Sequence, residues 1–149
     1  MPDNLLSETL YQLMHIYTNL LREGIRRQEL ELSVTHIRTL KCVCHDLQST
    51  TQSIAKRIER DKAQITRALN DLLAADLIFK TDNPLDGRSQ LLQPTAKGKG
   101  VMVKLDAAED WARKQLTQNL TTAELTLFFR VSRNMIDNVK NSQTSGKNI

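Results

Sequence analysis

The sequence predicts a mainly α-helical fold with one small β-hairpin, and three observations carry that prediction. Apolar residues recur at three- and four-residue steps along most of the chain, the period of an amphipathic helix. Between Leu77 and Gln93 the pattern changes to two short runs around Asn83-Pro84-Leu85-Asp86-Gly87-Arg88, which reads as two strands joined by a turn. The length, 149 residues and 17.0 kDa, suits one domain core and is too short for two. With 40% hydrophobic and 26% charged residues the chain has globular composition, which excludes wholesale disorder and fibrous repeats. No stretch approaches the roughly 20 apolar residues of a membrane span, and the N-terminus has no secretory pattern, so a cytoplasmic protein without membrane contact is expected.

The elements follow in order. Leu6, Leu10, Leu13, Tyr17 and Leu20, with Met14, Leu21 and Ile25 beside them, give the first helix a wide apolar stripe. Leu32 and Ile37 can staple a helix start capped by Ser33, and Ile37, Leu40, Val43, Cys44 and Leu47 continue at helical spacing. Thr50 or Thr51 can cap a short third helix carrying Ile54, Ala55 and Ile58, which should not pass Arg60. Asp61 stands three residues before Gln64, the spacing of a capping box, ahead of a fourth helix that buries Ile65, Leu69, Leu72 and Leu73.

After the hairpin, Thr95 can cap a fifth helix with Val101, Leu105, Ala108, Ala112 and Leu116 on one stripe, extended by Met102 and Trp111. Thr121 and Glu124 form the strongest cap signal in the chain, stapled by Leu120 and Leu125. The sixth helix then carries Phe128, Phe129, Met135, Ile136 and Val139, and residues 141–149 are expected to be a flexible polar tail.

Charge narrows the function. The net charge of +4 is concentrated between Lys56 and Lys104, where ten basic residues face six acidic ones. Both flanks are nearly neutral. A central cationic segment suits a polyanion, although a solvated charged surface would look the same. Helix, short helix, turn, helix and hairpin is also the order of a helix-turn-helix followed by a wing, in which the second helix of the pair enters the major groove. Outward on that helix are Lys62, Gln64, Thr66, Arg67 and Asn70. Arg67 can give two parallel bonds to guanine, Gln64 can pair with adenine, and Lys62 can meet a phosphate at the helix N-terminus. Arg88, at the hairpin tip, suits a narrow minor groove, with Asp86 placed to orient it.

Plainer roles remain open for each. Gln64 could fold back as the capping-box partner, Arg67 could pair with Asp71 one turn later, and Arg88 could simply pair with Asp86.

The run Asp61-Lys62-Ala63-Gln64-Ile65-Thr66-Arg67-Ala68-Leu69, followed by Leu72, Leu77-Ile78, Asp86-Gly87-Arg88 and Thr95-Ala96-Lys97-Gly98, resembles the MarR family of bacterial winged-helix regulators. The resemblance implies a winged helix-turn-helix flanked by long dimerisation helices. Its parts would be a DNA-binding core over about 33–94 and dimerisation helices over about 4–30 and 95–140 within one domain. It also implies a homodimer on duplex DNA with an inverted repeat, working as a repressor released by a small ligand. Aspartate stands at 76 where the family usually has glycine, and Pro94 where it usually has leucine.

Family members that bind small aromatic acids suggest a small aromatic or anionic effector here, with His36, Arg38 and Trp111 as candidate lining; Trp111 on an apolar stripe could equally be core. No catalytic motif and no cofactor motif is present, so neither catalysis nor a cofactor is expected. Cys42 and His45 share a helix face but are too few for a closed metal site. Cys42 and Cys44 point about 200° apart on a helix, which argues for free thiols and against a mutual disulfide. The competing reading is a winged helix that binds protein or RNA without operator specificity.

Overall fold

A computed structural model describes residues 4–58 and 61–145. Six helices and one hairpin succeed one another: α1 (Leu5–Arg27), α2 (Val34–His45), α3 (Thr51–Ile58), α4 (Lys62–Ala74), β1 (Ile78–Asp82), β2 (Gln90–Pro94), α5 (Ala96–Leu116) and α6 (Thr122–Ser145). The chain divides into two compact units, Met1–Arg113 and Lys114–Ile149. The expected limit of the third helix at Arg60 lies outside the described residues.

In the first unit one core is built from Leu21 and Ile25 of α1, Ile37, Leu40 and Val43 of α2, Ile54 of α3 and Ile65, Leu69 and Leu72 of α4. Leu77, Ile78 and Leu92 around the hairpin and Leu105 and Ala108 of α5 complete it. Each side chain sits at the helical or strand spacing read above. The α1 stripe, however, is buried only at its C-terminal end: Leu6, Leu10 and Met14 remain 50–60% exposed. Gly24 explains how α1 meets α5 there, since a Cβ at this position would lie 2.6 Å from the Ala108 carbonyl oxygen.

Caps mark most helix starts. Ser33 Oγ accepts from the His36 amide, while the Ser33 amide donates to His36 Nδ1, a capping box with histidine in the place of glutamate. Thr50 and Ser53 exchange the same pair of bonds before α3. The helix ends use left-handed residues other than glycine. Glu29 and Asp76 have φ of 56° and 58°, each inside a Schellman closure: Leu30 N–H donates to Ile25 C=O after α1, and Leu77 N–H donates to Leu72 C=O after α4. Asp76 thus adopts the conformation that glycine would supply at less cost.

The hairpin is antiparallel, with Ile78 opposite Pro94 and Asp82 opposite Gln90. Pro94, which lacks an N–H, ends β2. Leu92 N–H donates to the Ser49 carbonyl, fixing the hairpin to the turn between α2 and α3.

The joint between α4 and α5 is the tightest place in the unit. Thr95 Oγ1 donates to the Asp76 carbonyl at 2.6 Å and accepts from the Gly98 amide, Thr95 N–H donates to the Leu77 carbonyl, and Lys97 Nζ reaches the Ala75 carbonyl. Gly98 passes directly over Leu77, just before β1: a Cβ there would lie 2.0 Å from the Leu77 oxygen.

In the second unit Thr121 and Glu124 form both bonds of the expected capping box, and the Thr121 amide and hydroxyl hold the Glu124 carboxyl below its ordinary range. From Phe128 to Val139 the apolar residues of α6 are exposed; Phe128, Phe129 and Val139 keep 50–63% of their surface. The helix also corrects part of the expected tail: residues 141–145 continue α6, with Ser142 Oγ donating to the Asn138 carbonyl, and the remaining tail, 146–149, lies outside the described residues. No proline or glycine interrupts the sequence before Gly146, so nothing stops the helix sooner.

Candidate nucleic-acid interface

The first turns of α4, the start of α3 and the hairpin enclose an open cleft of about 530 Å³. Lys62 comes from α4, Thr50 and Gln52 from α3 and its cap, and Lys80, Arg88 and Gln90 from the hairpin. Three cations therefore face one concave space, with Asp86 the acidic residue on its wall. An anion entering it would meet the positive end of the α4 dipole near Lys62.

Lys62, Gln64, Thr66, Arg67 and Asn70 are exposed on α4, as the sequence predicted, because Ile65, Ala68, Leu69 and Leu72 turn the opposite face into the core. Two details differ from the plainer roles. The Asp61 carboxylate caps the Ala63 amide, so Gln64 does not complete a box, and among the described residues its side chain stands unengaged. Asp61 thus caps the second amide of the helix and not the third, which a capping box would use. Arg67 does not pair with Asp71, whose Oδ2 is held by His36 Nε2 at 2.8 Å. Thr66 Oγ1 donates to the Lys62 carbonyl, which leaves its oxygen free to accept.

The wing tip also differs. Asp86 Oδ1 accepts the Arg88 backbone amide at 3.0 Å, and Asn83 Oδ1 accepts that of Leu85. Two Asx turns therefore shape the tip, and Asp86 holds the main chain of Arg88 instead of its guanidinium. Asp86→Ala is expected to weaken DNA binding, and Asp86→Asn, which can still accept the amide, to retain it. Improvement in both variants would show that the charge, and not the turn, governs the effect; anisotropy titration distinguishes the two.

The candidate effector residues occupy separate surroundings. His36 is committed to Ser33 and Asp71. Arg38 is exposed on α2. Trp111 is half-exposed and carries the Arg27 guanidinium 4.5 Å from its ring centre, a cation–π contact that accounts for it without a ligand. Nearby, Lys41 Nζ binds both oxygens of Glu109 at 2.5 and 2.6 Å. Burial first, and then the Glu109 carboxylate, raise the phenol of Tyr17 above its ordinary range.

Cys42 and Cys44 are free and half-buried against the core, and burial pushes the Cys44 thiol up. Fewer thiolates at neutral pH mean slower oxidation. Replacing both with serine is expected to leave the response of DNA binding to peroxide unchanged. Among the described residues no group of three or more metal-ligating side chains occurs, and no helix is long and apolar enough to cross a membrane.

Sequence reasoning missed Lys80, Gln52 and Thr50 as cleft residues. Strand alternation would not have found Lys80: it puts residue 80 on the same face as buried Ile78, yet Lys80 is exposed. Gln52 and Thr50 come near the wing only through the Ser49–Leu92 bond, which no local pattern announces.

A helix pair whose second member exposes polar side chains, followed by a hairpin that shares its cleft, defines a winged helix-turn-helix protein. Residues 32–90, about two fifths of the chain, match the model of the MarR family. Among curated proteins none matches the chain by sequence. Solved structures share its fold throughout. A MarR protein from Peptoclostridium difficile is 22% identical, with 99% of this chain and 94% of that one covered and a TM-score of 0.80. A SlyA-like transcription regulator from Listeria monocytogenes is 19% identical, with 99% and 95% covered and a TM-score of 0.80. A mutant MarR from E. coli, solved in complex with operator DNA, is 20% identical, with 87% and 92% covered and a TM-score of 0.78.

Proposed function

We propose that this chain is a sequence-specific regulator of transcription that binds duplex DNA as a homodimer. The observation that carries the reading is the cleft between α4 and the hairpin, where Lys62, Lys80 and Arg88 converge beside the exposed amide and guanidinium of Gln64 and Arg67. Lys62 and Arg88 serve phosphate and minor-groove contacts, and Gln64, Thr66 and Arg67 read base edges. Asp86 shapes the wing. The E. coli MarR structure with operator DNA supports the same use of the fold.

Dimerisation is favoured by the apolar surface on α1 and on α6, where Leu6, Leu10, Phe128, Met135 and Val139 are 42–58% exposed. On each helix these large apolar side chains stand together in water, as surfaces that meet a partner do. In this reading the protein is a repressor released by a small aromatic or anionic effector. Arg38, exposed and without an ion pair among the described residues, is the candidate to receive an anion, since His36 and Trp111 are already engaged.

Selection from a random pool of duplexes tests the proposal. An enriched inverted repeat with half-sites about one helical turn apart is expected. Enrichment of no sequence, or stronger retention of single-stranded RNA than of duplex DNA, would favour a module without operator specificity.

A further inference from the structure

Arg67 and Asp71 stand one turn apart on α4, the spacing at which opposite charges ordinarily pair along a helix. Here they do not. The Asp71 carboxylate is bonded at Oδ2 by a side chain 35 residues earlier, His36, which turns it toward α2, and both lie with Arg67 and Gln64 along a shallow groove between α2 and α4. The histidine is fixed from its other side. Ser33 N–H donates to Nδ1, so the ring proton is on Nε2 and is directed at Asp71 Oδ2.

We propose that His36 is a positioning residue for DNA reading: by occupying Asp71 it keeps the Arg67 guanidinium from folding back along its own helix. The inference rests on the function proposed above and assigns within it a residue that touches no base. An arginine already paired with its neighbour would have to break that pair before meeting a base edge, and the loss would fall on the preferred sequence alone. Phosphate contacts made by Lys62 and Arg88 would be untouched.

His36→Gln separates this role from capping. Glutamine is an ordinary capping-box residue, so it keeps the reciprocal bond to Ser33, while its flexible amide lacks the rigid ring geometry that aims Nε2–H at Asp71. The probes are the duplex enriched by the wild-type protein and an unrelated duplex of equal length. His36→Gln is expected to bind the enriched duplex about fivefold more weakly, a part of what a full arginine–base contact supplies, and the unrelated duplex as the wild type does. Adding Asp71→Ala is expected to restore the lost preference, because the competing carboxylate is then gone.

A purely structural role would give a loss that persists in the double variant, together with a lower melting temperature. That result, or an unchanged His36→Gln, overturns the inference while leaving the DNA-binding reading in place. Failure of the wild-type protein to prefer any duplex overturns both.

Discussion

Gly98→Ala is expected to destabilise the chain by about 3 kcal/mol or more, at the upper end of what one added methyl costs in a packed interior. The methyl would lie 2.0 Å from the Leu77 carbonyl oxygen, a backbone atom that no rotamer change can move. The same oxygen accepts the Thr95 amide, so retreat of α5 from β1 would break the bonds that join α4 to α5. Such a loss is a large part of a stability of roughly 5 to 15 kcal/mol. Gly100→Ala, two residues along the same helix, provides the control. Nothing lies within 4 Å of its added Cβ, so replacing a flexible residue within a helix should stabilise by about 0.5 to 1 kcal/mol. Urea unfolding should move the two midpoints in opposite directions. Similar shifts of one sign would contradict the close approach.

Arg67→Ala carries the second large expectation. If the guanidinium meets a base edge, its removal should cost about 1 to 3 kcal/mol on the selected duplex, roughly 5- to 150-fold in affinity. Unrelated duplexes should bind almost as before. Lys62→Ala should weaken both classes by similar factors and reduce the salt slope by about one, the share of a single phosphate. The contrast separates reading from anchoring. Equal weakening by Arg67→Ala on both duplexes would make it a phosphate contact.

Much of this arrangement was legible in the sequence because the signals were local. Ser33, Thr121 and Glu124 announce their helix starts within four residues, and Leu77 to Gln93 announces the hairpin through its turn chemistry. The side of α4 that faces outward followed from its buried leucines. What remained hidden depended on contacts between distant parts of the chain. Periodicity identified the apolar faces of α1 and α6, but a period shows which face is apolar and not what covers it, and Leu10 and Phe128 are half-exposed.

The plainer role open to Gln64, that of capping-box partner, is not taken up: Asp61 accepts the Ala63 amide instead of that of Gln64, a choice between neighbouring amides that spacing alone does not decide. His36 could not have been assigned to Asp71 from any motif, nor Gly98 to the Leu77 carbonyl, because both depend on how elements cross. Lys97, in turn, reads from sequence as one more surface cation, whereas its amine closes the C-terminus of α4 at the Ala75 carbonyl.

The most direct test of the account is a fluorescence anisotropy titration of the selected duplex, its two separated strands and an unrelated duplex across a range of salt concentrations. The account predicts that two subunits bind each selected duplex and that the separated strands bind far more weakly. The logarithm of the association constant should fall linearly with that of salt, because Lys62, Lys80 and Arg88 displace counterions from phosphate. Equal affinity for duplex and single strands, or binding that salt does not weaken, would contradict it.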